Sequence, residues 1–387
     1  MKITKISLYK CKVNIGFKYS TWETKSSQAM LIKIETDNGL IGWGEYTINR
    51  WKTEKILLST CKFLLNKKVL KIYNDLILKP ITRYNKLDEL LIGFDRRRRL
   101  VREGISIALY DLLGKYKKKP IYELFDNIEK FRYEVDAMPV IHVHSKEDRL
   151  EIFQKWEKLG VRYFKIKITG DLKKDKDHLS FLIKNKKKNS KIIVVDANYG
   201  FKNKQDIIDL SKFTFKNNIG YIQNPIKLSL RKTNLLMNQC DTQFTADNTV
   251  WWPYSKRVIS KKACVLVNHH PNIQGGLDWL MRTANYAKKN GIPNIIGSSG
   301  TFGIQNTAFQ AMSAITGFGF PCEEITLEPY MKHMNKYYNF NVNPNVIIKM
   351  NKFKDGKIHI NRNNGLGVDI DENKIKKLTI WSKVINA

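Results

Sequence analysis

The chain's first chemically loaded constellation is Lys165-Ile166-Lys167. Residues i and i+2 of a strand share one face, so a strand ending here would carry two ammonium groups into one small volume. Their repulsion and desolvation should depress at least one pKa, which a lysine base needs near neutral pH. Further on, short apolar runs end in polar groups: Asp196 and Asn198, Gln223, Asp247 and Asn248, then His270. The steps from 167 to 196, 223, 247 and 270 are 29, 27, 24 and 23 residues. Each step is about one strand–helix unit, an interval that solvated loop residues have no reason to keep. Oxygen groups from three adjacent strands suit a hard cation such as Mg²⁺.

The elements that would bring these groups together are legible in the pattern. Short apolar runs at Pro139–Val143, Tyr163–Ile168, Ile192–Val195, Gly220–Ile222, Gln243–Ala246, Val265–Val267 and Ile292–Ile296 alternate with amphipathic stretches such as Asp148–Leu159 and Leu277–Lys289. Such a series implies a parallel sheet covered by helices, and seven or eight units fit a (β/α)8 barrel. In a barrel, chemistry gathers at the C-terminal ends of the strands. Before it, residues 1–47 read as a three-stranded antiparallel meander with a turn at Asp37-Asn38-Gly39. Asn14–Ser27, with Tyr19 and Trp22, reads as a loop between its first two strands. Residues 52–125 read as helical, most clearly over Val101–Tyr116. From about Val342 the tail returns to short strands. The expected class is α/β: a modified TIM (β/α)8-type barrel (129–338) with an α+β capping domain built from the N-terminal region (1–128) and the C-terminal tail (339–387).

Composition narrows the alternatives. The 387 residues include 68 Lys plus Arg and 36 Asp plus Glu, a formal charge of +32, with 42% hydrophobic and 27% charged residues. This is a folding composition, not a disordered polyelectrolyte. No apolar run approaches the ~18 residues of a membrane span, and no signal-peptide h-region follows Met1. The scattered cysteines Cys11, Cys61, Cys240, Cys264 and Cys322 read as thiols in a reducing compartment. Together these imply a cytoplasmic protein. Nucleic-acid binding is the alternative suggested by charge, but the runs Arg96–Arg99, Lys117–Lys119 and Lys186–Lys188 sit in different elements, read as solvated helix ends or turns and form no known nucleic-acid-binding pattern.

In order and spacing, these motifs resemble the mandelate racemase/muconate lactonizing branch of the enolase superfamily over nearly the whole chain. The resemblance is carried by Lys165-Ile166-Lys167, Val195-Asp196-Ala197-Asn198, Ala246-Asp247 and Gly275-Gly276. Outside the site it is carried by Gly42-Trp43-Gly44-Glu45, Ala108–Lys115 and Asn364–Asp369. It implies Mg²⁺-assisted removal of a proton α to the carboxylate of a small acid, through an enediolate. The outcome would be racemisation or epimerisation, dehydration or cycloisomerisation. It further implies Lys167 as base, Lys165 polarising the carboxylate, and Asp196, Gln223 and Asp247 as metal ligands. Asn198 and Asn248 become secondary substrate-side positions. The Tyr19 and Trp22 segment would close over the site and carry specificity, and a homo-oligomer is expected.

Two departures stand out. Gln223 occupies a position where the family usually places a glutamate, so Mg²⁺ should bind more weakly than usual, and Asn248 removes another nearby acid. A relative that keeps the barrel but has lost turnover is therefore the runner-up reading. His270 stands where the family places a second lysine or an aspartate. It reads either as an acid/base on the opposite face or as a simple hydrogen-bond donor. Cys322-Glu323-Glu324 offers one inward carboxylate, and the sequence leaves open which glutamate supplies it.

Overall fold

The computed structural model describes residues 1–48, 51–74, 95–126, 128, 130–299, 302–316, 320–323, 334–338 and 343–387. Alternating apolar residues build β1 (Ile3–Lys18), β2 (Glu23–Thr36) and β3 (Ile41–Thr47) as an antiparallel meander. Gly39, at φ 79°, takes the left-handed position of the β2–β3 turn. The segment expected as a loop is instead the outer half of the β1–β2 hairpin. The ladder runs on through Asn14↔Ser26, Phe17↔Thr24 and Lys18↔Glu23. Period-two burial continues past Val13, with Ile15 inside and Lys12 and Asn14 outside, so nothing in the pleat ends the strand before Tyr19.

Next come α1 (Glu54–Leu64), α2 (Val69–Tyr73) and α3 (Arg96–Lys117). Asp95 caps α3 by accepting the Arg97 amide, and the helix stops where Lys118 turns left-handed at φ 54°. From Arg99 to Gly114 every residue of α3 is buried, because sheet covers one side and the barrel the other. Three motifs noted in the sequence meet at Asp111 of this helix. Its carboxylate accepts the amides of Trp43 (2.9 Å) and Leu366 (2.8 Å) and pairs with Lys115 (2.7 Å).

After β4 (Glu134–Asp136), strand and helix alternate: β5 (Val140–Ile141), α4 (Lys146–Lys158), β6 (Tyr163–Lys167), α5 (Leu172–Asn185), β7 (Lys191–Asp196), α6 (Lys204–Lys216), β8 (Tyr221–Gln223), α7 (Leu230–Met237), β9 (Phe244–Ala246), α8 (Tyr254–Ser260), β10 (Leu266–His269), α9 (Leu277–Lys289), β11 (Asn294–Ile296) and α10 (Ile304–Thr316). Ser145, Asp171, Asn203 and Ser229 cap α4 to α7 by accepting an amide three residues on. Such caps contribute about 1 kcal/mol each. The seven strands β5 to β11 form one curled parallel sheet in chain order. Cys322 and Glu323 close the gap between its edges. Glu323 N donates to Ile296 O, Cys322 N to Asp136 O, and Met138 N to Cys322 O, all at 2.8 Å.

Strands β12 (Lys352–Lys354) and β13 (Lys357–His359) extend β4 into a small sheet. After α11 (Glu372–Leu378), β14 (Thr379–Asn386) pairs with the free edge of β1, so the tail completes the cap sheet in the order β14-β1-β2-β3. No helix of the described residues is long and apolar enough to cross a membrane. All five cysteines are buried and unpaired by disulfides.

The cap grips the barrel through buried polar contacts. Glu103 of α3 accepts the amides of Asn272 (2.7 Å) and Gly275 (3.2 Å), and Arg102 holds Gly275 O (2.6 Å) and the carboxylate of Asp278 (2.7 and 2.9 Å). From β3, Glu45 accepts the amides of Phe302 (2.5 Å) and Gln305 (3.0 Å) at the start of α10. Strand β3 lies close enough to α3 for this grip because Gly42 and Gly44 carry no side chain. A Cβ on Gly44 would fall on the carbonyl oxygen of Gly104, which is backbone and cannot swing away. Gly44→Ala is therefore expected to destabilise the protein by ~1–3 kcal/mol, the range for overpacking. Urea unfolding at neutral pH checks this, and an unchanged midpoint would show that the seam has slack.

Candidate active site

Register, before side-chain chemistry, lines up the groups singled out in the sequence. Lys167 pairs across to Asp196, Asp196 to Gln223, and Gln223 to Thr245, so four neighbouring strands end level. On β6, Lys165 and Lys167 point into the ring, while Phe164 packs outward on Phe153 of α4 with ring centroids 3.7 Å apart. Lys165, Lys167, Asp196, Gln223, Asp247 and Glu323 are all buried. Of the two candidate glutamates, Glu323 faces inward, with both carboxylate oxygens 3.0 Å from Lys165 Nζ. Glu324 lies outside the described residues.

The two lysines are not crowded in the way their spacing suggested. Lys167 Nζ lies 2.6 Å from Asp196 Oδ2. Lys165 Nζ reaches Glu323, Gln223 Oε1 (3.1 Å) and, at 3.5 Å, Asp196 Oδ2. Burial alone would pull the Lys165 ammonium down, but the charges of Glu323, Asp196 and Asp247 outweigh it and leave Lys165 raised. The expected depression is thus reversed at Lys165, because the carboxylates reach further into the mouth than the sequence could show. For Asp196, burial pushes the carboxyl up, yet both lysines and the Asn198 amide (2.9 Å) hold it below its usual range.

Gln223 is the hinge of the cluster. Its Nε2 donates to Asp196 Oδ2 (3.0 Å) and Asp247 Oδ2 (2.9 Å). Its Oε1 accepts from Lys165 Nζ, Asn268 Nδ2 (3.1 Å) and Thr245 Oγ1 (3.3 Å). Asn268 Nδ2 also reaches Glu323 (2.8 Å), and Asn224 Nδ2 donates to Asp247 Oδ2 (3.1 Å). Neither Asn224 nor Asn268 was singled out in the sequence. The one available signal was that Asn268 lies two residues before His270, on the strand face that His270 would continue.

The expected metal ligands are brought together, but their donor set does not fit a divalent cation. A cation needs oxygens from Asp196, Gln223 and Asp247 turned inward, and here the amide presents its nitrogen to both carboxylates. Within that ligand set, Asp247 Oδ1 is buried without a hydrogen-bond partner among the described residues, and Asn268 Oδ1 beside it is likewise unpartnered there. No cluster of three or more His, Cys, Asp or Glu groups among those residues is placed to hold a metal.

His270 follows β10, across the ring from β6 with three strands between. Burial pulls its pKa down; Asp247 pushes it up, and the two lysines add to the lowering. Its Nδ1 faces the Pro271 carbonyl, an acceptor only, so the ring proton of the neutral imidazole sits on Nδ1 and Nε2 is the basic atom. His269 points the other way and bonds Asn294 Oδ1 (2.7 Å). Asn248 Nδ2 lies 3.5 Å from the Tyr199 hydroxyl, while Asn198 is buried at φ 45° with its Oδ1 unpartnered among the described residues.

The hairpin tip closes over the mouth. Tyr19 lies over Lys167, with Nζ 5.2 Å from its ring centroid, and stacks on Trp22 at 4.5 Å. Ser20 Oγ donates to Ala197 O (2.6 Å), pinning the tip to the end of β7. Trp22 itself is half exposed. His142 lies among the rings of Phe17, Tyr19 and Tyr338. Arg149, also buried, donates to Lys167 O (2.5 Å) and His142 O (3.2 Å) and fixes those strand ends. Of the basic runs, Arg99 is buried against the Trp251 ring at 4.3 Å and is not a solvated helix end. Lys117–Lys119, at the end of α3 and the turn after it, and Lys186–Lys188, in the turn after α5, are exposed or half-exposed and remote in sequence from each other.

Two family models match the chain. "Mandelate racemase / muconate lactonizing enzyme, N-terminal domain" covers residues 5–125, and "Enolase C-terminal domain-like" covers residues 149–374. The N-succinyl-L-Arg/Lys racemase of Bacillus cereus is 23% identical, with 100% of each chain covered. A crystal structure of N-succinyl Arg/Lys racemase from Bacillus cereus superposes with a TM-score of 0.84 at 20% identity, covering 100% of both chains. A dipeptide epimerase from Cytophaga hutchinsonii, complexed with Mg and the dipeptide D-Ala-L-Val, gives 0.80 at 18% identity, again over 100% of both.

Asp196 is within 2.6 Å of Lys167 and 3.5 Å of Lys165, all three buried. Asp196→Asn leaves Lys167 buried beside a neutral amide and should cost ~3–5 kcal/mol, the cost of breaking one partner of a buried pair. Equilibrium unfolding of this variant, of Lys167→Met and of the double variant checks it. The double variant should recover part of the loss, and strict additivity would show that the pair is not coupled.

Proposed function

This chain belongs to the mandelate racemase/muconate lactonizing enzyme family of the enolase superfamily, and from that premise we propose that it moves a proton on the carbon α to a substrate carboxylate, as a racemase or epimerase. One observation carries the reading: two proton-carrying groups, Lys167 on β6 and His270 after β10, lie on opposite sides of the mouth. A planar enediolate between them can be deprotonated on one face and reprotonated on the other. Dehydration and cycloisomerisation share the first step but do not call for a second base.

In the resting arrangement Lys167 is an ammonium against Asp196, and His270 has its basic Nε2 available for a proton. His270 takes the α-proton of one enantiomer while Lys167 returns one to the opposite face; the other enantiomer uses the reverse assignment. The Lys165 charge offsets the negative charge that develops on the carboxylate oxygens. Tyr19 at the hairpin tip restricts water above Lys167. Asn198 and Asn248, at the ends of β7 and β9, would meet the remainder of the substrate, and Trp22 would meet its outer end.

The substrate class is an N-acylated α-amino acid. N-succinyl amino acids and dipeptides, for which relatives are named, share an acylated nitrogen and a free carboxylate on one carbon.

The test is deuterium incorporation at the α-carbon in D₂O, over a library of N-acyl amino acids and dipeptides of both configurations. Wild type should exchange both enantiomers. Lys167→Met should lose exchange of one enantiomer, and His270→Gln that of the other, each by ~10²–10⁴-fold, the usual contribution of a general acid or base. Interconversion should stop in both variants. Wild-type exchange confined to one enantiomer would sink the two-base reading.

A further inference from the structure

We propose that the side-chain amide of Gln223 stands in for a divalent cation in this mouth, bridging Asp196 and Asp247, and that it keeps divalent cations out of the site. The argument starts from the five contacts of that amide. Two carboxylate oxygens, pure acceptors, lie 3.0 and 2.9 Å from Nε2. Lys165 Nζ and Asn268 Nδ2, pure donors, lie 3.1 Å from Oε1, and the Thr245 hydroxyl adds a third donor at 3.3 Å. The two carboxylates and the two N–H donors fix one orientation, and the hydroxyl is compatible with it. Offering Oε1 to a cation would require turning the amide over. Its nitrogen would then face two pure donors and its oxygen two carboxylates, so four contacts would be lost together and only the Thr245 hydroxyl, which can also accept, would be kept.

The charge count points the same way. Asp196, Asp247 and Glu323 bring three negative charges, and Lys165 and Lys167 bring two positive ones. Glu323 answers Lys165, and Asp196 answers Lys167. The remaining carboxylate, Asp247, receives two neutral amide donors on one oxygen, from Gln223 and Asn224. Asn224 reaches it from φ 46°, a left-handed position that asparagine tolerates better than most residues. Loss of the ligand to a residue without a donor would leave two carboxylates facing each other with nothing between them. Here both are bridged by one amide, and Asp247 is served by the neighbouring asparagine as well. A glutamate at 223 would bring a fourth carboxylate and remove the bridging donor, leaving a cluster that only a cation could neutralise. This inference concerns the carboxylates alone and rests on no part of the two-base reading.

The experiment is Mn²⁺ binding to the full chain, followed by electron paramagnetic resonance of the free ion. Wild type should bind no Mn²⁺ up to about 1 mM, the weak end of protein cation sites. Gln223→Glu, which adds a carboxylate between Asp196 and Asp247, should create a site at least about a hundredfold tighter that Mg²⁺ competes for. Mn²⁺ bound by wild type below about 1 mM, and lost in Asp247→Asn, would overturn the proposal. If Gln223→Glu folds poorly, Mn²⁺ should raise its unfolding midpoint and leave that of wild type unmoved; a raised wild-type midpoint counts against the proposal. The outcome for function is read separately. Exchange that survives chelation by EDTA supports both readings. Absence of exchange with no Mn²⁺ binding removes the two-base reading and leaves the amide bridge standing.

Discussion

Two ammonium groups and three carboxylates are buried together at one end of a ring of strands, and their mutual neutralisation is the constraint that the surrounding structure obeys. A buried charge without a partner is costly, so each must be answered within a few ångströms. Lys165 meets Glu323 and Lys167 meets Asp196. The spare negative charge of Asp247 is spread over neutral amides. That solution requires polar residues at matched heights on successive strands. The pairing of Lys167 with Asp196, Asp196 with Gln223, and Gln223 with Thr245 provides it.

A cluster so finely matched depends on strand ends that do not shift. The cap supplies this from outside the ring. Glu103 and Arg102 of α3 hold the segment from Asn272 to Asp278, immediately after His270, while Glu45 of β3 holds the start of α10. Asp111 ties that same helix to β3 and to the C-terminal turn. The cap is thus a clamp on the loops that carry the mouth as well as a cover. Its hairpin reaches over the top, where Ser20 fastens it to Ala197. Arg149 works from below, binding the carbonyl that follows the Lys167 side chain. Sequence-distant residues therefore set where Lys167 and His270 stand.

Much of this was legible because two periodicities survive in the chain. The i, i+2 spacing of Lys165 and Lys167 gave their shared face, and the recurring interval of strand ends gave the shared rim. Where the sequence misled, geometry decided. The segment Asn14–Ser27 carries polar residues, but Ile15 keeps the inward beat of the strand, so it remains hairpin. The lysine pair suggested repulsion, yet Glu323, 158 residues away from Lys165, sits between the expectation and the result. Arg99 belongs to a four-arginine run that reads as solvated, but a tryptophan from the turn after β9 covers it. A sequence shows which groups share a strand face. It does not show which distant group supplies the opposite charge.

The orientation of Gln223 belongs to this second kind of fact. Its substitution for an acid is visible in the sequence as a missing charge, and taken alone it predicts a weaker cation site. In three dimensions the same residue has two ends facing opposite chemistries, and both ends are satisfied. A half-satisfied polar network would be a defect; a nearly closed one resists rearrangement, because every donor and acceptor must move together. The net charge of +32 on the whole chain does not alter this balance. Among the described residues, the basic side chains outside the mouth are mostly exposed or half-exposed, and their field decays within about 8 Å at physiological salt. An anionic substrate entering the mouth is therefore governed by Lys165 and Lys167, and by how far Asp196 and Glu323 release them. With the amide of Gln223 in place, those two lysines are the positive charge that the mouth has to offer.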